Sequence, residues 1–157
     1  MGLGVGRYTR GKEEKERIIK MTYLYQTKAV NEDGVDGYSY IEGEDPIKVA
    51  HPLSEDQGFN PEKFVGLALS TCFNSTVQKI LEEDGLDNKT RVKVAVQMHE
   101  EEDETGFYFS LDAELAIDQM DLRQVQEYLE RTKVRCPMAK LLKGLSLIHI
   151  SEPTRLR

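Results

Sequence analysis

The 157-residue chain contains only two cysteines, Cys72 and Cys136, too few for a disulfide-stabilised scaffold. No apolar segment approaches the roughly 18 residues that a membrane-spanning helix needs, and no secretion signal is recognisable near the N-terminus. These absences favour a cytoplasmic protein in a reducing compartment. There a pair of thiols serves either as buried packing or in redox chemistry.

Several kinds of site are also missing from the sequence. The three histidines, His51, His99 and His149, are scattered, and no zinc-ligand spacing, phosphate-binding loop or Ser-His-Asp arrangement is present. The net charge of −7 argues against a nucleic-acid-binding surface. We therefore expect no metal, no organic cofactor, no nucleic-acid partner and no membrane association.

The two ends of the chain differ in pattern from the rest. Residues 1–20 have no hydrophobic periodicity, and "GKEEKERIIKM" is what a ribosome-binding sequence just before Met21 would encode. We therefore expect residues 1–20 to be a translated leader. "LSLIHISEPTRLR" (145–157) resembles the translation of a sequencing-library adapter, and a native polar tail is the alternative. We expect "LSLIHI" to form an edge strand all the same, because it alternates.

Alternation of bulky and polar residues predicts the strands. In the first part of the chain it indicates a strand over 22–30, followed by short strands in "YSYIEG" (38–43) and "PIKVAHP" (46–52). Stricter alternation predicts two longer strands over 90–100 and 106–117, joined by an acidic hairpin loop.

Between these groups of strands lies a long helix. Asn60 can cap it, Pro61 suits its first turn, and Gly85 ends it after Asp84. Residues 64–73 are apolar on nearly every face, which is typical of a helix buried on all sides. In so small a chain, the simplest partner for such a helix is its copy in a second subunit.

A second helix follows the long strands. Its apolar stripe begins at Leu122, Val125 and Leu129 and continues at helical spacing to Thr132 and Cys136. A short helix is predicted over 137–143, after Pro137. The order of elements predicts an α+β protein with a segregated antiparallel sheet.

Two motifs carry a family resemblance: "NPEKFVGLALSTCF" (60–73) and "CPMAKLL" (136–142). Together they resemble the paired cysteine motifs of the OsmC/Ohr family, the osmotically inducible protein C and organic hydroperoxide resistance proteins. The resemblance covers about residues 22–144, so we assign 21–144 to an OsmC-like domain. It implies an intertwined homodimer with a long central helix, and a native C-terminal strand that residues 145–157 would replace.

The resemblance also implies roles for individual residues. Cys72 matches the peroxide-attacking cysteine, Cys136 the resolving cysteine, and Glu62 the family glutamate. The implied activity is reduction of small organic or inorganic hydroperoxides, with an external dithiol, such as a lipoyl-bearing protein, reducing the resulting disulfide. The alternatives are that both cysteines are packing residues and that Glu62 only stabilises a helix N-terminus.

One departure from the family pattern weakens this interpretation. The family supplies an arginine from its N-terminal strands, but no arginine lies between Met21 and Arg91, and Glu32 stands where one branch carries it. Lys48 is the best substitute and Lys28 the second. Since a buried thiol without a cation is inert, the alternative function is a catalytically weak dimer that binds a hydrophobic ligand or senses redox state.

Overall fold

The computed structural model describes residues 23–103, 105–143 and 147–150, the last of these as backbone only. The elements in chain order are β1 (Ala29–Asn31), β2 (Tyr38–Ile41), β3 (Ile47–Lys48), α1 (Pro61–Glu83), β4 (Thr90–Glu100), β5 (Phe107–Ile117), α2 (Leu122–Arg135), α3 (Pro137–Leu141) and β6 (Leu147–Ile150). The predicted α+β class is confirmed.

The strands form two separate three-stranded sheets, ordered β1-β2-β3 and β4-β5-β6. The first sheet and the β4–β5 pair are antiparallel, and β4 pairs with β5 over its whole length, from Thr90 opposite Ile117 to Glu100 opposite Phe107. The expected edge strand in 145–150 is present as β6, but it runs parallel to β5. The second sheet is therefore antiparallel, as predicted, except at this edge.

Helix α1 begins and ends where the sequence predicts. The Asn60 side chain accepts a hydrogen bond from the Lys63 amide at 2.9 Å. At the other end Gly85 has a φ of 76°, and the Leu86 amide donates to the Leu81 carbonyl at 2.9 Å, which completes a Schellman ending. None of the helices in the described part of the chain is long and apolar enough to cross a membrane.

One hydrophobic core lies between α1, the second sheet and α2. Its buried members recur every three or four residues along α1 and meet alternate residues of β5 and the inner face of α2. They include Leu69, Phe73, Val77, Ile80, Leu81, Leu111, Leu115, Val125 and Leu129. Within one chain α1 is buried on this face alone, and Leu67 is 54% exposed. Burial on all sides needs a second copy and stays a prediction.

Two expectations about individual segments are wrong within the single chain. The strand expected over 22–30 begins only at Ala29, and residues 23–28 are not in a strand. Leu122 lies at the start of the stripe of α2 but is 44% exposed. Within the single chain Phe107 and Phe109 are also exposed, although they share the face of β5 that buries Leu111.

Candidate active site

The two thiols lie in contact, although 64 residues separate them in the sequence. Cys136 Sγ is 3.4 Å from Cys72 Sγ, and both cysteines are free thiols. Cys72 is partly buried on α1, whereas Cys136 has no exposed surface. A disulfide needs its sulfurs about 2.05 Å apart, so a small further approach would allow the two thiols to be joined.

The backbone holds Cys136 at the junction of two helices. Its amide donates to the Thr132 carbonyl at 2.8 Å and ends α2, and Pro137 begins α3 directly afterwards. Its sulfur caps α3, accepting from the Ala139 amide at 3.4 Å. Burial raises the pKa of the Cys136 thiol, and the neighbouring Cys72 raises it further, while the Ala139 amide opposes both effects.

Cys72 is held by the packing of α1. Its neighbours Leu69 and Phe73 are buried in the core, and its carbonyl accepts hydrogen bonds from the hydroxyls of Ser75 and Thr76. The cap at Asn60 lies about 18 Å away along the helix axis, at about 1.5 Å per residue. The positive end of the helix dipole therefore contributes little at this sulfur.

Glu62 lies in the first turn of the same helix, far from the thiol pair. Ten residues separate it from Cys72, or about 15 Å of helix. Its Oε2 atom is buried and has no hydrogen-bond partner in the described residues. The side chain lines a cavity of about 540 Å³, together with Phe59, Leu67 and Val94 among others. Burial of a carboxylate oxygen without a hydrogen-bond partner is unfavourable. Within one chain, the described residues therefore leave this carboxylate without the donor that it needs.

The proposed substitute cations lie elsewhere. Lys48 is exposed on β3, and Lys28 forms an exposed ion pair with Glu42 at 3.5 Å. In the part of the chain that the structure describes, no hydrogen bond or ion pair joins Lys48 to Glu62 or to Cys72. The fold thus brings together the two predicted cysteines but neither Glu62 nor Lys48.

Sequence reasoning missed a polar cluster that links α1 to α2. Asp84 accepts hydrogen bonds from both terminal nitrogens of Arg131, at 2.5 and 2.9 Å, and from the Tyr128 hydroxyl at 2.7 Å. Glu83 accepts from both terminal nitrogens of Arg135, at 2.6 and 2.9 Å. The hydrogen bonds from Arg131, and to a lesser extent from Tyr128, lower the pKa of Asp84 to about 2.

A comparison with protein families matches residues 54–150 to the model described as OsmC-like protein. The chain belongs to the OsmC-like family. The matched range contains Glu62 and the thiol pair but excludes Lys48, and the origin of residues 145–157 stays a prediction.

Relatives and solved structures agree with this OsmC-like assignment. The chain is 22% identical over 127 residues to organic hydroperoxide resistance protein-like 2 of Staphylococcus epidermidis, covering 77% of this chain and 89% of that protein. It is 25% identical over 128 residues to a Staphylococcus aureus organic hydroperoxide resistance protein-like sequence, covering 79% and 91%.

Two crystal structures have the same fold. A Lactobacillus casei protein has a TM-score of 0.79 and 29% identity, with 87% of this chain and 97% of that chain covered. The organic hydroperoxide resistance protein OhrB of Bacillus subtilis has a TM-score of 0.74 and 18% identity, with 82% and 98% covered. The second likeness concerns the fold alone.

Proposed function

We propose that this OsmC-like protein is a thiol-dependent peroxidase that reduces organic hydroperoxides. The observation that carries the proposal is the contact between the thiols of Cys72 and Cys136. Cys136 Sγ lies 3.4 Å from Cys72 Sγ. Family membership and relatives named for organic hydroperoxide resistance support the substrate class.

The reaction needs only the two sulfurs, a hydroperoxide and an external dithiol. The Cys72 thiolate attacks the terminal peroxide oxygen, an S–O bond forms, the O–O bond breaks, and the alkoxide takes up a proton to leave as an alcohol. The Cys136 thiol then loses its proton and its sulfur attacks the Cys72 sulfur. The S–O bond breaks, the S–S bond forms, and the displaced hydroxide takes up a proton and leaves as water. A dithiol, which we expect to be lipoyl-type, restores both thiols by exchange and becomes oxidised.

Exposure and electrostatics support this assignment of roles. Cys72 is the partly exposed thiol, so it is the one that a hydroperoxide can reach. Cys136 is fully buried, and burial raises its pKa, so it is protonated near neutral pH and poorly suited to attack first. Its proximity to Cys72 suits the second step, in which the attacking thiol needs no access from solvent.

A homodimer would complete the site. Glu62 Oε2 is buried without a partner, and Leu67, on the same part of α1, is 54% exposed. A second copy packed on this face would cover Leu67 and could bring a cation to Glu62. We propose Lys48 for that role, as the replacement for the family arginine, although its ammonium cannot reproduce the two-pronged hydrogen bonding of a guanidinium.

Peroxide consumption by the full chain tests the proposal. With a dithiol present, the protein should consume cumene hydroperoxide, and Cys72→Ser should abolish this activity. Lys48→Met should lower kcat/KM about tenfold by removing one charge-assisted contact. Lys79→Met, which removes an exposed lysine paired with Glu82 on α1, is the matched control. Undiminished activity in Cys72→Ser would refute the proposal.

A second function has one observation in its favour. Among the described residues, no hydrogen bond or ion pair joins a lysine to Cys72. The alternative is an OsmC-like dimer that binds a hydrophobic ligand or senses redox state without rapid turnover. Alkylation of Cys72 as a function of pH separates the two functions. A midpoint above about 8.5 favours the alternative.

A further inference from the structure

The last turn of α1 has charges of the wrong sign for its position. Glu82, Glu83 and Asp84 follow one another at the helix C-terminus, and the last turn contains no basic residue. The C-terminal end of a helix carries a partial negative charge, so three carboxylates there repel both the helix dipole and one another. Cations placed near these carboxylates would stabilise such an end.

The three carboxylates obtain their cations from two different places. Glu82 is paired at 2.7 Å with Lys79, which lies on α1 itself. Glu83 and Asp84 are instead paired with Arg135 and Arg131 of α2, and each pair has two hydrogen bonds. Such two-pronged pairs fix orientation as well as distance. We call Glu83, Asp84, Arg131 and Arg135 the α1–α2 clamp.

The clamp joins the same two helices that carry the thiol pair. Arg135 is the last residue of α2, and Cys136 follows it directly. Cys72 lies on α1, about three turns before the clamp carboxylates. Arg131 also stacks on the Tyr128 ring at 5.1 Å, and the Tyr128 hydroxyl donates to Asp84. The position of Cys136 relative to Cys72 is therefore fixed at one end of α2 by ionic contacts to α1.

We propose that Glu83 and Asp84 are positioning residues for disulfide closure, holding α2 where Cys136 reaches the Cys72 sulfur. This inference rests on the proposed function, in which the thiol pair cycles between dithiol and disulfide. The clamp raises the effective concentration of one thiol at the other, and so stabilises the disulfide relative to exchange with a free thiol.

The thiol–disulfide equilibrium of the folded protein tests this role. The full chain is equilibrated in buffers of oxidised and reduced glutathione, quenched with acid and alkylated to separate dithiol from disulfide. In closure the two protein thiols lose two protons and two electrons, and one oxidised glutathione becomes two reduced ones. We expect the Glu83→Gln/Asp84→Asn variant to lower the equilibrium constant about tenfold, the effect of losing charge-assisted contacts.

Glu82→Gln is the matched control, because it neutralises a carboxylate in the same turn whose partner lies on α1. We expect its equilibrium constant to stay within about twofold of wild type. Glu83→Gln, Arg135→Met and their combination should also be non-additive, with the double variant no worse than the more impaired single variant. Thermal unfolding of each variant, and a measurement temperature well below the transition, separate this readout from a general loss of stability.

Two outcomes would overturn the inference, and they differ. If wild type forms the disulfide but the clamp variant and Glu82→Gln have the same equilibrium constant, the clamp does not position the thiols, and the proposed function stands. If wild type forms no Cys72–Cys136 disulfide in any glutathione buffer or with hydroperoxide, both the inference and the proposed function fail.

Discussion

Replacement of Cys136 separates its structural role from its chemical role. Cys136 caps α3 through its sulfur and also touches the Cys72 sulfur, and two substitutions divide these contacts. Cys136→Ser keeps a capping atom for the Ala139 amide, whereas Cys136→Ala removes it. Neither variant can form the disulfide.

The structure sets the expected size of each loss of stability. Cys136→Ala leaves a small cavity at a fully buried position and an uncapped amide, which together cost about 1–2 kcal/mol. In a chain of this size that lowers the melting temperature by about 2–8 °C. Cys136→Ser should cost less than about 1 kcal/mol, because the hydroxyl caps the helix well and has the Ala139 amide as a partner.

The catalytic effect should be equally large in both variants. A thiol in contact with Cys72 acts at an effective concentration far above that of about 1 mM external dithiol, so the second step should slow roughly 100-fold or more. The first step, in which Cys72 attacks the hydroperoxide, should be unchanged in stopped-flow with excess hydroperoxide. The sulfenic acid on Cys72 should then accumulate and react with dimedone. Full steady-state turnover in Cys136→Ala, with no trapped sulfenic acid, would refute the resolving role.

Three further predictions follow from charge and exposure. Because burial raises the pKa of Cys136, the thiol's contribution to stability is complete below its unfolded pKa and is lost as the pH rises through its folded pKa. The rate of disulfide closure, followed by stopped-flow, should increase in this alkaline range. A rate that does not change with pH would contradict the raised pKa. The pKa of Asp84 is lowered from 3.8 to about 2, so its contribution to stability is present above the unfolded pKa and is lost as the pH falls towards 2. The stability advantage of wild type over Asp84→Asn, measured by urea unfolding, should therefore shrink in that window. An advantage independent of pH would count against the ion pair. Leu67→Glu should convert the expected dimer to a monomer in sedimentation velocity, since it places a charge on the exposed face of α1; an unchanged sedimentation coefficient would place the subunit contact elsewhere.

Much of the fold follows from local patterns in the sequence. The cap at Asn60, the stop at Gly85 and the alternation over 90–100 each depend on residues within one element, so they predict its bounds closely. The strand expected over 22–30 shows the limit of such patterns. Alternation gives the preference of a segment, but pairing needs a neighbouring strand, and only from Ala29 onward does β2 provide one.

The sequence indicated that both sulfurs face the interior, but it did not indicate the α1–α2 clamp. The reason is that helix burial follows a local pattern, whereas an ion pair between helices does not. A buried helix face is periodic, so the stripe that reaches Cys136 indicates an inward sulfur, and the apolar surroundings of Cys72 indicate the same. An ion pair between two helices depends on their crossing and on long side chains, which no single-helix pattern specifies. The acids at the end of α1 gave the one usable signal, because a helix C-terminus that collects negative charge must be neutralised from outside. Glu83 and Asp84 obtain their cations from α2, which Cys136 follows directly, so the charge balance at the end of α1 is linked to the position of the second thiol.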